Sequence, residues 1–282
     1  MNKIEVPDRY NYIAAFLTLR CNLGCSYCIN DDSGVMRNRK EMSAGEWINS
    51  LNRLETKLPI TLEGGEPTMH PEFHKIIVGI DNNVGLLTNL QFNTDEFISR
   101  VNPRWFGQRD IPGYKSIRAS FHPEKMSIDQ TVRSALRLQN AGFNIGLFSL
   151  NVPENLEANM HMAEEARKHQ LYFFIKDFLG IRDGKMFGHF KYPEAVDGIG
   201  RGKFVQCRTS ELLIAPDGGT YNCHRDLYHA EHPIGNIKQN DYKVEDIYRL
   251  CNRFGDCNPC DIKLKTNRFL QMGACAMEIK DE

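Results

Sequence analysis

From Tyr12 to Asp177, short apolar runs alternate with stretches whose apolar positions recur every three or four residues. Tyr12 to Arg20 is a mostly apolar run of strand length, as expected of a strand buried on both faces of a parallel sheet. Ser43-Ala44-Gly45-Glu46 is a capping box, and Trp47, Leu51 and Leu54 behind it fall on one helical face. Leu58 to Glu63 predicts the second strand. Phe73, Ile76, Ile77 and Ile80 form a helical stripe behind Pro71, and Val84 to Leu87 is a short strand ending in Thr88-Asn89. Thr94 predicts the cap of a short helix carrying Phe97 and Ile98. Ser116 to Phe121 alternates as a strand and delivers His122. Ser127-Ile128-Asp129-Gln130 reads as another capping box, opening a helix with Ile128, Val132, Ala135 and Leu136 on one face and Gly142 as its stop. Asn144 to Leu150 is a strand ending at Asn151, and Asn155 to His169 is an amphipathic helix. Leu171 to Ile175 is a sixth strand, ending at Lys176-Asp177.

Six strands alternating with helices argue for an α/β fold with a parallel sheet and right-handed crossovers. The pattern does not separate a closed barrel, an open barrel and a flat sheet. Ile181 to Lys203, rich in glycine and charge, breaks the alternation and reads as a connection between domains. Beyond it, Glu211-Leu212-Leu213-Ile214 and Thr220-Tyr221-Asn222 flank Pro216-Asp217-Gly218-Gly219 and predict a β-hairpin. Val244, Ile247, Tyr248 and Cys251 share one face of a predicted helix. The expected domains are 1–181, a connection at 182–206, and a small cysteine-rich hairpin and helix domain at 207–282.

Composition narrows the function classes. The chain has 282 residues, 41% of them hydrophobic, and a net charge of −1. That is enough for a sizeable core, and it carries no electrostatic footprint of nucleic-acid binding. No window approaches the ~20 apolar residues of a membrane span, and Met1 to Arg9 shows no signal-peptide apolar region. Nine cysteines, an odd count in clustered spacing, read as metal ligation in a reducing cytoplasm rather than as disulfides.

The candidate chemistry begins at Cys21-Asn22-Leu23-Gly24-Cys25-Ser26-Tyr27-Cys28, three cysteines in C-x₃-C-x₂-C spacing after the first strand. Three thiolates on one loop do not complete a structural zinc site, which wants four protein ligands. They can hold three irons of a 4Fe–4S cluster and leave the fourth open to a small molecule. Leu62-Glu63-Gly64-Gly65-Glu66-Pro67 follows at the end of the second strand. Gly64 and Gly65, lacking Cβ, let backbone approach a ligand closely, and Glu66 offers a carboxylate to an ammonium group. Together these stretches resemble the signature and GGEP elements of the radical S-adenosylmethionine (SAM) enzymes. The resemblance implies a partial (β/α)₆ TIM-like barrel over Tyr12 to Phe178, with Cys21, Cys25 and Cys28 on the cluster. It further implies SAM on the open iron, with Tyr27, Gly64, Gly65 and Glu66 at the SAM site. Ser120, His122 and Asn151, near carboxyl ends of strands, are candidates for SAM or substrate contacts; ordinary strand-end hydrogen bonding is the alternative.

A second set comprises Cys207, Cys223 and Cys257-Asn258-Pro259-Cys260. A Cys₄ zinc ribbon is chemically possible, whereas a thioredoxin-like redox pair lacks its strand–helix context. The C-x₁₀-G-x₄-C spacing with a distant C-x₂-C resembles the Twitch domain, the shortened form of the SPASM domain. That resemblance implies an auxiliary 4Fe–4S cluster on Cys207, Cys223, Cys257 and Cys260, with Gly218 as the motif glycine. Thr266 stands where full SPASM has its next cysteine, so one auxiliary cluster is expected. Cys251 and Cys275 remain, either as packing thiols or as hydrogen-atom donors to a substrate radical; Cys275 can alternatively ligate a cluster.

The resemblance implies reductive cleavage of SAM to methionine and a 5′-deoxyadenosyl radical that abstracts a substrate hydrogen. An external one-electron reductant of the flavodoxin or ferredoxin type is the expected partner. About twenty residues precede the first cysteine, without the recognition domain that peptide-modifying members commonly carry there. The expectation is therefore an oxidoreductase dehydrogenating a small polar, carbohydrate-like substrate in the cytoplasm, without nucleic acid or membrane. The alternatives are epimerisation with a cysteine hydrogen donor, modification of a peptide, and a non-enzymatic zinc- or cluster-binding interaction protein.

Overall fold

The computed structural model describes residues 2–29, 35, 37–107, 113–265 and 274–282. After the short β1 (Ile4–Glu5), the chain enters β2 (Tyr12–Thr18), then α1 (Ala44–Leu51), β3 (Leu54–Glu55), β4 (Ile60–Gly64) and α2 (Phe73–Gly79). It continues through β5 (Val84–Thr88), α3 (Thr94–Arg100), β6 (Ile117–Ser120), α4 (Ile128–Asn140), β7 (Ile145–Asn151), α5 (Leu156–Lys168) and β8 (Tyr172–Asp177). Strands β2, β4, β5, β6, β7 and β8 pair in that order, all parallel. Five helices fall between the six strands. This is the partial (β/α)₆ barrel that the resemblance implied, built on the parallel sheet that the alternation predicted.

Local signals account for most element ends. Ser43 and Glu46 close the capping box of α1, each side chain accepting from the other's backbone N–H. α3 differs from expectation: Asn93, not Thr94, is its cap, and the Asn93 side chain accepts from the N–H groups of Asp95 and Glu96. Ser127 does precede α4, but its side chain makes no capping bond; its carbonyl instead accepts from the Thr131 hydroxyl at 2.8 Å.

Strand alternation divides the sheet into two faces. Ile13, Ala15, Leu17, Ile60, Leu62, Leu86, Ile117 and Leu147 lie under the helices, in one core with Trp47, Ile76, Phe97, Leu138 and Met162. The intervening Tyr12, Ala14 and Phe16 face the other way, toward Leu213, Tyr221, Leu227 and Tyr228. That second face is the concave interior of the open barrel.

After β8 come the hairpin β9 (Gly180–Arg182) and β10 (Lys185–Phe187), then β11 (Val205–Thr209), β12 (Glu211–Ile214) and β13 (Gly219–Tyr221). α6 (His224–His229), β14 (Gly235–Asn236), β15 (Arg249–Cys251), α7 (Pro259–Ile262) and β16 (Met277–Asp281) complete the order. β12 and β13 form the expected hairpin, with Gly218 at φ 87° in its turn. Its outer strand joins the barrel: β12 pairs in parallel with β2, Leu213 opposite Ala14. The sheet thereby reaches nine strands, β14-β13-β12-β2-β4-β5-β6-β7-β8. The helix expected through Val244 and Cys251 is absent. Arg249–Cys251 is extended and pairs with β11, so cross-strand pairing overrides a weak three-and-four pattern. β16 flanks β11 on its other side.

Candidate active site and cysteine centres

The glycine turn after β4 is built against the chain itself. A Cβ on Gly64, at φ 144°, would fall 2.0 Å from the Thr18 carbonyl oxygen, and one on Gly65 2.2 Å from that of Arg20. Bare backbone can enter there, and Gly65 N–H then donates to Thr18 O and Glu66 N–H to Arg20 O, both at 2.9 Å. The two sequence motifs are thereby fastened to each other at the carboxyl end of β2.

Glu66 is 1% exposed. Its Oε1 accepts from Thr68 N–H, the Thr68 hydroxyl at 2.7 Å and the Thr88 hydroxyl at 2.9 Å. Its Oε2 accepts from Asn89 N–H at 2.7 Å. Burial pushes the carboxyl up from its ordinary range against these four bonds. Glu66 thus ties the turn to the end of β5, and Oε2, holding one donor, retains acceptor capacity for another.

The cysteine loop leaves β2 through Arg20, whose guanidinium grips Glu41 at 3.0 and 2.8 Å. Cys28 N–H donates to Cys25 O at 3.1 Å, turning the loop back on itself. Cys21 Sγ accepts from Leu23 N–H at 3.4 Å, and Asn89 Nδ2 holds Asn22 Oδ1 at 2.8 Å. Ser26 N–H donates to Glu124 at 2.7 Å. Burial, with the charges of Cys28, Glu124 and Cys21 behind it, pushes the Cys25 thiol up to about 12. Three thiolates on one short loop repel as anions, and a cationic cluster reverses that cost. The donor set therefore fits a three-thiolate iron–sulfur site.

Tyr27 reaches the opposite wall. Its hydroxyl meets His122 Nδ1 at 3.1 Å and accepts from Asn155 Nδ2 at 3.4 Å. Burial holds the His122 imidazole down at about 4, so it is neutral near pH 7. Ser120 and Asn151 end β6 and β7, half-buried and exposed respectively.

Deeper in the concave face, Tyr12 OH contacts Glu63 Oε2 at 2.5 Å, and Arg118 donates to Tyr12 OH at 3.3 Å and to Thr61 at 3.2 Å. Across the barrel, His224 meets Asp261 at 2.8 Å, and the wholly buried Lys265 donates to Glu211 at 3.1 Å. Burial alone would lower His224, but Asp261 outweighs it and, with Glu211, raises the imidazole to about 9. The sequence reading missed these residues. Glu63 stood in its quoted glycine stretch, but nothing linear links it to Arg118.

The C-terminal cysteines divide. Cys207, Cys223, Cys251 and Cys257 line one cavity of about 180 Å³ together with Arg225, Arg249 and Arg253. Cys260 is not among the residues lining it. The Cys275 thiol donates to its neighbour Met277 O at 2.6 Å. Thr266 lies outside the described residues. Among the described residues, no three His, Cys, Asp or Glu side chains converge tightly enough to hold a single metal ion. No helix among them is long and apolar enough to cross a membrane.

Residues 16–166 match the Radical SAM superfamily, and the chain belongs to it. Membership in that superfamily implies a 4Fe–4S cluster and SAM as cofactors. Two curated relatives are molybdenum cofactor biosynthesis protein 1 from Bos taurus, 33% identical over 82 residues, and from Mus musculus, 31% identical over 99. These matches cover 28% and 34% of this chain but 13% and 16% of the relatives' length. Among solved structures, native anSMEcpe with bound AdoMet aligns at TM-score 0.54 and 13% identity, over 80% of this chain and 77% of that one. Streptococcus suis SuiB aligns at 0.55 and 13%, over 85% and 64%. At such identity these two share the fold.

Proposed function

We propose that this radical SAM enzyme carries two 4Fe–4S clusters and dehydrogenates a small polar substrate bound in the concave face. The single observation that carries the first site is the pair of 2.9 Å backbone bonds joining the glycine turn to the strand that launches Cys21, Cys25 and Cys28. Those three residues would hold the first cluster, and Cys207, Cys223 and Cys257 with one further thiol would hold the second. When bound, the first cluster with SAM supplies a 5′-deoxyadenosyl radical and the second a one-electron acceptor.

The chain's own residues supply position and polarity. Glu66 would orient the methionine ammonium through Oε2, while its other bonds keep the turn rigid. Tyr27 and His122 would form one wall of the SAM pocket, with Ser120 and Asn151 at its rim. Glu63 and Arg118, of opposite charge and joined through Tyr12, suit hydroxyl and amino groups of a polar substrate. The division into 1–181, 182–206 and 207–282, a cytoplasmic setting and a flavodoxin- or ferredoxin-type reductant belong to the same reading.

A peptide substrate is the second reading. Strand β8 is the outermost strand of the nine-stranded sheet at that end, an edge of the kind that accepts an added strand. SuiB has been seen with its precursor peptide SuiA.

Anaerobic reconstitution and strong reduction in the presence of SAM should yield 5′-deoxyadenosine, and Cys21→Ala/Cys25→Ala/Cys28→Ala should yield none. Absence of 5′-deoxyadenosine from the unaltered protein would sink the radical reading.

A further inference from the structure

Resting on the two-cluster reading, we infer that the fourth thiolate of the C-terminal cluster is Cys251, on strand β15, and that Cys260 is not a ligand. Four independent features of the cavity support this set.

The first is placement. β11 and β15 are antiparallel with Cys207 opposite Arg249 and Val205 opposite Cys251. Cys207 and Cys251 are therefore diagonal neighbours on one face of the ladder, within reach of a common object. Both line the cavity, as do Cys223 at the start of α6 and Cys257 ahead of α7.

The second is the wall. Cys207 is buried in an apolar cluster with Val205, Phe254, Ile262 and Met277, and Cys223, Cys251 and Cys257 pack against it. Cys260 belongs to none of this. The Asn258 side chain caps α7 by accepting from Cys260 N–H at 2.8 Å, so Cys260 lies inside the helix turn while Cys257 precedes it.

The third is charge. Four thiolates around one cluster leave an anionic assembly. Arg249 Nη1 and Arg253 Nε are buried with no acceptor among the described residues, and both arginines line the cavity. A buried N–H without a partner is costly. An anionic occupant bounded by sulfur gives both donors something to bond.

The fourth is sulfur hydrogen bonding. Cys223 Sγ accepts from Asp226 N–H at 3.5 Å and Cys251 Sγ from Arg253 N–H at 3.4 Å. Cys21 in the N-terminal loop accepts from Leu23 N–H in the same manner. Such bonds stabilise thiolate and tune cluster potential.

The test isolates the C-terminal site by working in the full chain with Cys21, Cys25 and Cys28 all changed to Ala. After anaerobic reconstitution this background should carry about four iron and four sulfide per chain, with the signal of one reduced cluster. Adding Cys251→Ala should remove most of that iron, and Cys251→Ser should shift the electron paramagnetic resonance spectrum of whatever remains. Cys260→Ala and Cys260→Ser should leave iron content and spectrum unchanged. In the unmutated N-terminal background, Cys251→Ala should still retain the other four irons, which shows that the chain is folded. Loss on Cys260 substitution with retention on Cys251 substitution would overturn the inference and leave the two-cluster reading standing. A background holding no iron and sulfide, or stoichiometric zinc instead, would overturn the two-cluster reading and this inference with it.

Discussion

The backbone N–H of Glu66 donates to the carbonyl oxygen of Arg20 at 2.9 Å. Arg20 directly precedes Cys21, so the glycine turn is a structural buttress of the cysteine loop, and in the proposed function it also walls the SAM pocket. Close approach is possible because position 65 has no side chain.

Gly65→Ala tests the buttress. A methyl 2.2 Å from Arg20 O must displace backbone, because no flexible side chain is there to yield. Iron content should fall by about half as the first of two four-iron sites is lost, with the C-terminal site retained. Full iron with unimpaired SAM binding would contradict this account.

Unaltered protein should bind about eight iron and eight sulfide per chain, as two four-iron centres require. Changing Cys21, Cys25 and Cys28 together to Ala should leave about half. Chemical iron and sulfide analysis under anaerobic conditions decides the matter.

For Glu66→Gln, stability and ligand affinity should fall together. The amide oxygen can replace Oε1, but the amide NH₂ then meets the Asn89 N–H that Oε2 now receives. One donor is left facing another in a buried site, a loss of about 1–3 kcal/mol. Denaturant titration should read that loss, and SAM titration should show weaker binding with cluster content kept.

Lys265 and Glu211 are both almost wholly buried and 3.1 Å apart. Lys265→Met removes the nearer charged partner of buried Glu211 and leaves it His224 at 3.9 Å, which should cost up to about 3–5 kcal/mol. Lys265→Met/Glu211→Gln should recover part of it. An unchanged unfolding midpoint for the single variant would show that Glu211 is neutralised elsewhere.

Oxidation and epimerisation separate at Cys275. Its thiol already serves a local bond to Met277 O at 2.6 Å, and it is buried. Cys275→Ala should therefore leave product identity unchanged. Once a substrate is known, solvent deuterium at the reacting carbon that disappears in this variant would establish a hydrogen-donor role and overturn dehydrogenation.

The barrel was legible because most of its strands are short apolar runs set between stretches of helical period; β6 was legible from its alternation instead, and β8 from its apolar start although it is only partly buried. The first cysteine loop was legible because its three cysteines are close in sequence. What the sequence hid is what the fold assembles from afar. Val244, Ile247, Tyr248 and Cys251 are spaced as on a helix, yet Cys251 is extended because β11 offers it a backbone ladder. Likewise Tyr12, Glu63 and Arg118 meet across separations of 51 and 106 residues, and no local pattern marks such a meeting. Asn93 outranked Thr94 as a cap through the two N–H groups its side chain reaches, a choice that composition alone leaves open.

The pairing of β12 with β2 has a consequence for how the protein is made. Asn11 and Ser210, which flank that ladder and touch at 3.2 Å, are 199 residues apart. On the ribosome β2 emerges before the other barrel strands and waits with one edge exposed until all six have been synthesised. At ~5–20 residues per second that interval is roughly ten to forty seconds. Nascent chains should accordingly need protection of that edge, by a chaperone or by early cluster loading on the adjoining cysteine loop, more than the finished protein ever does.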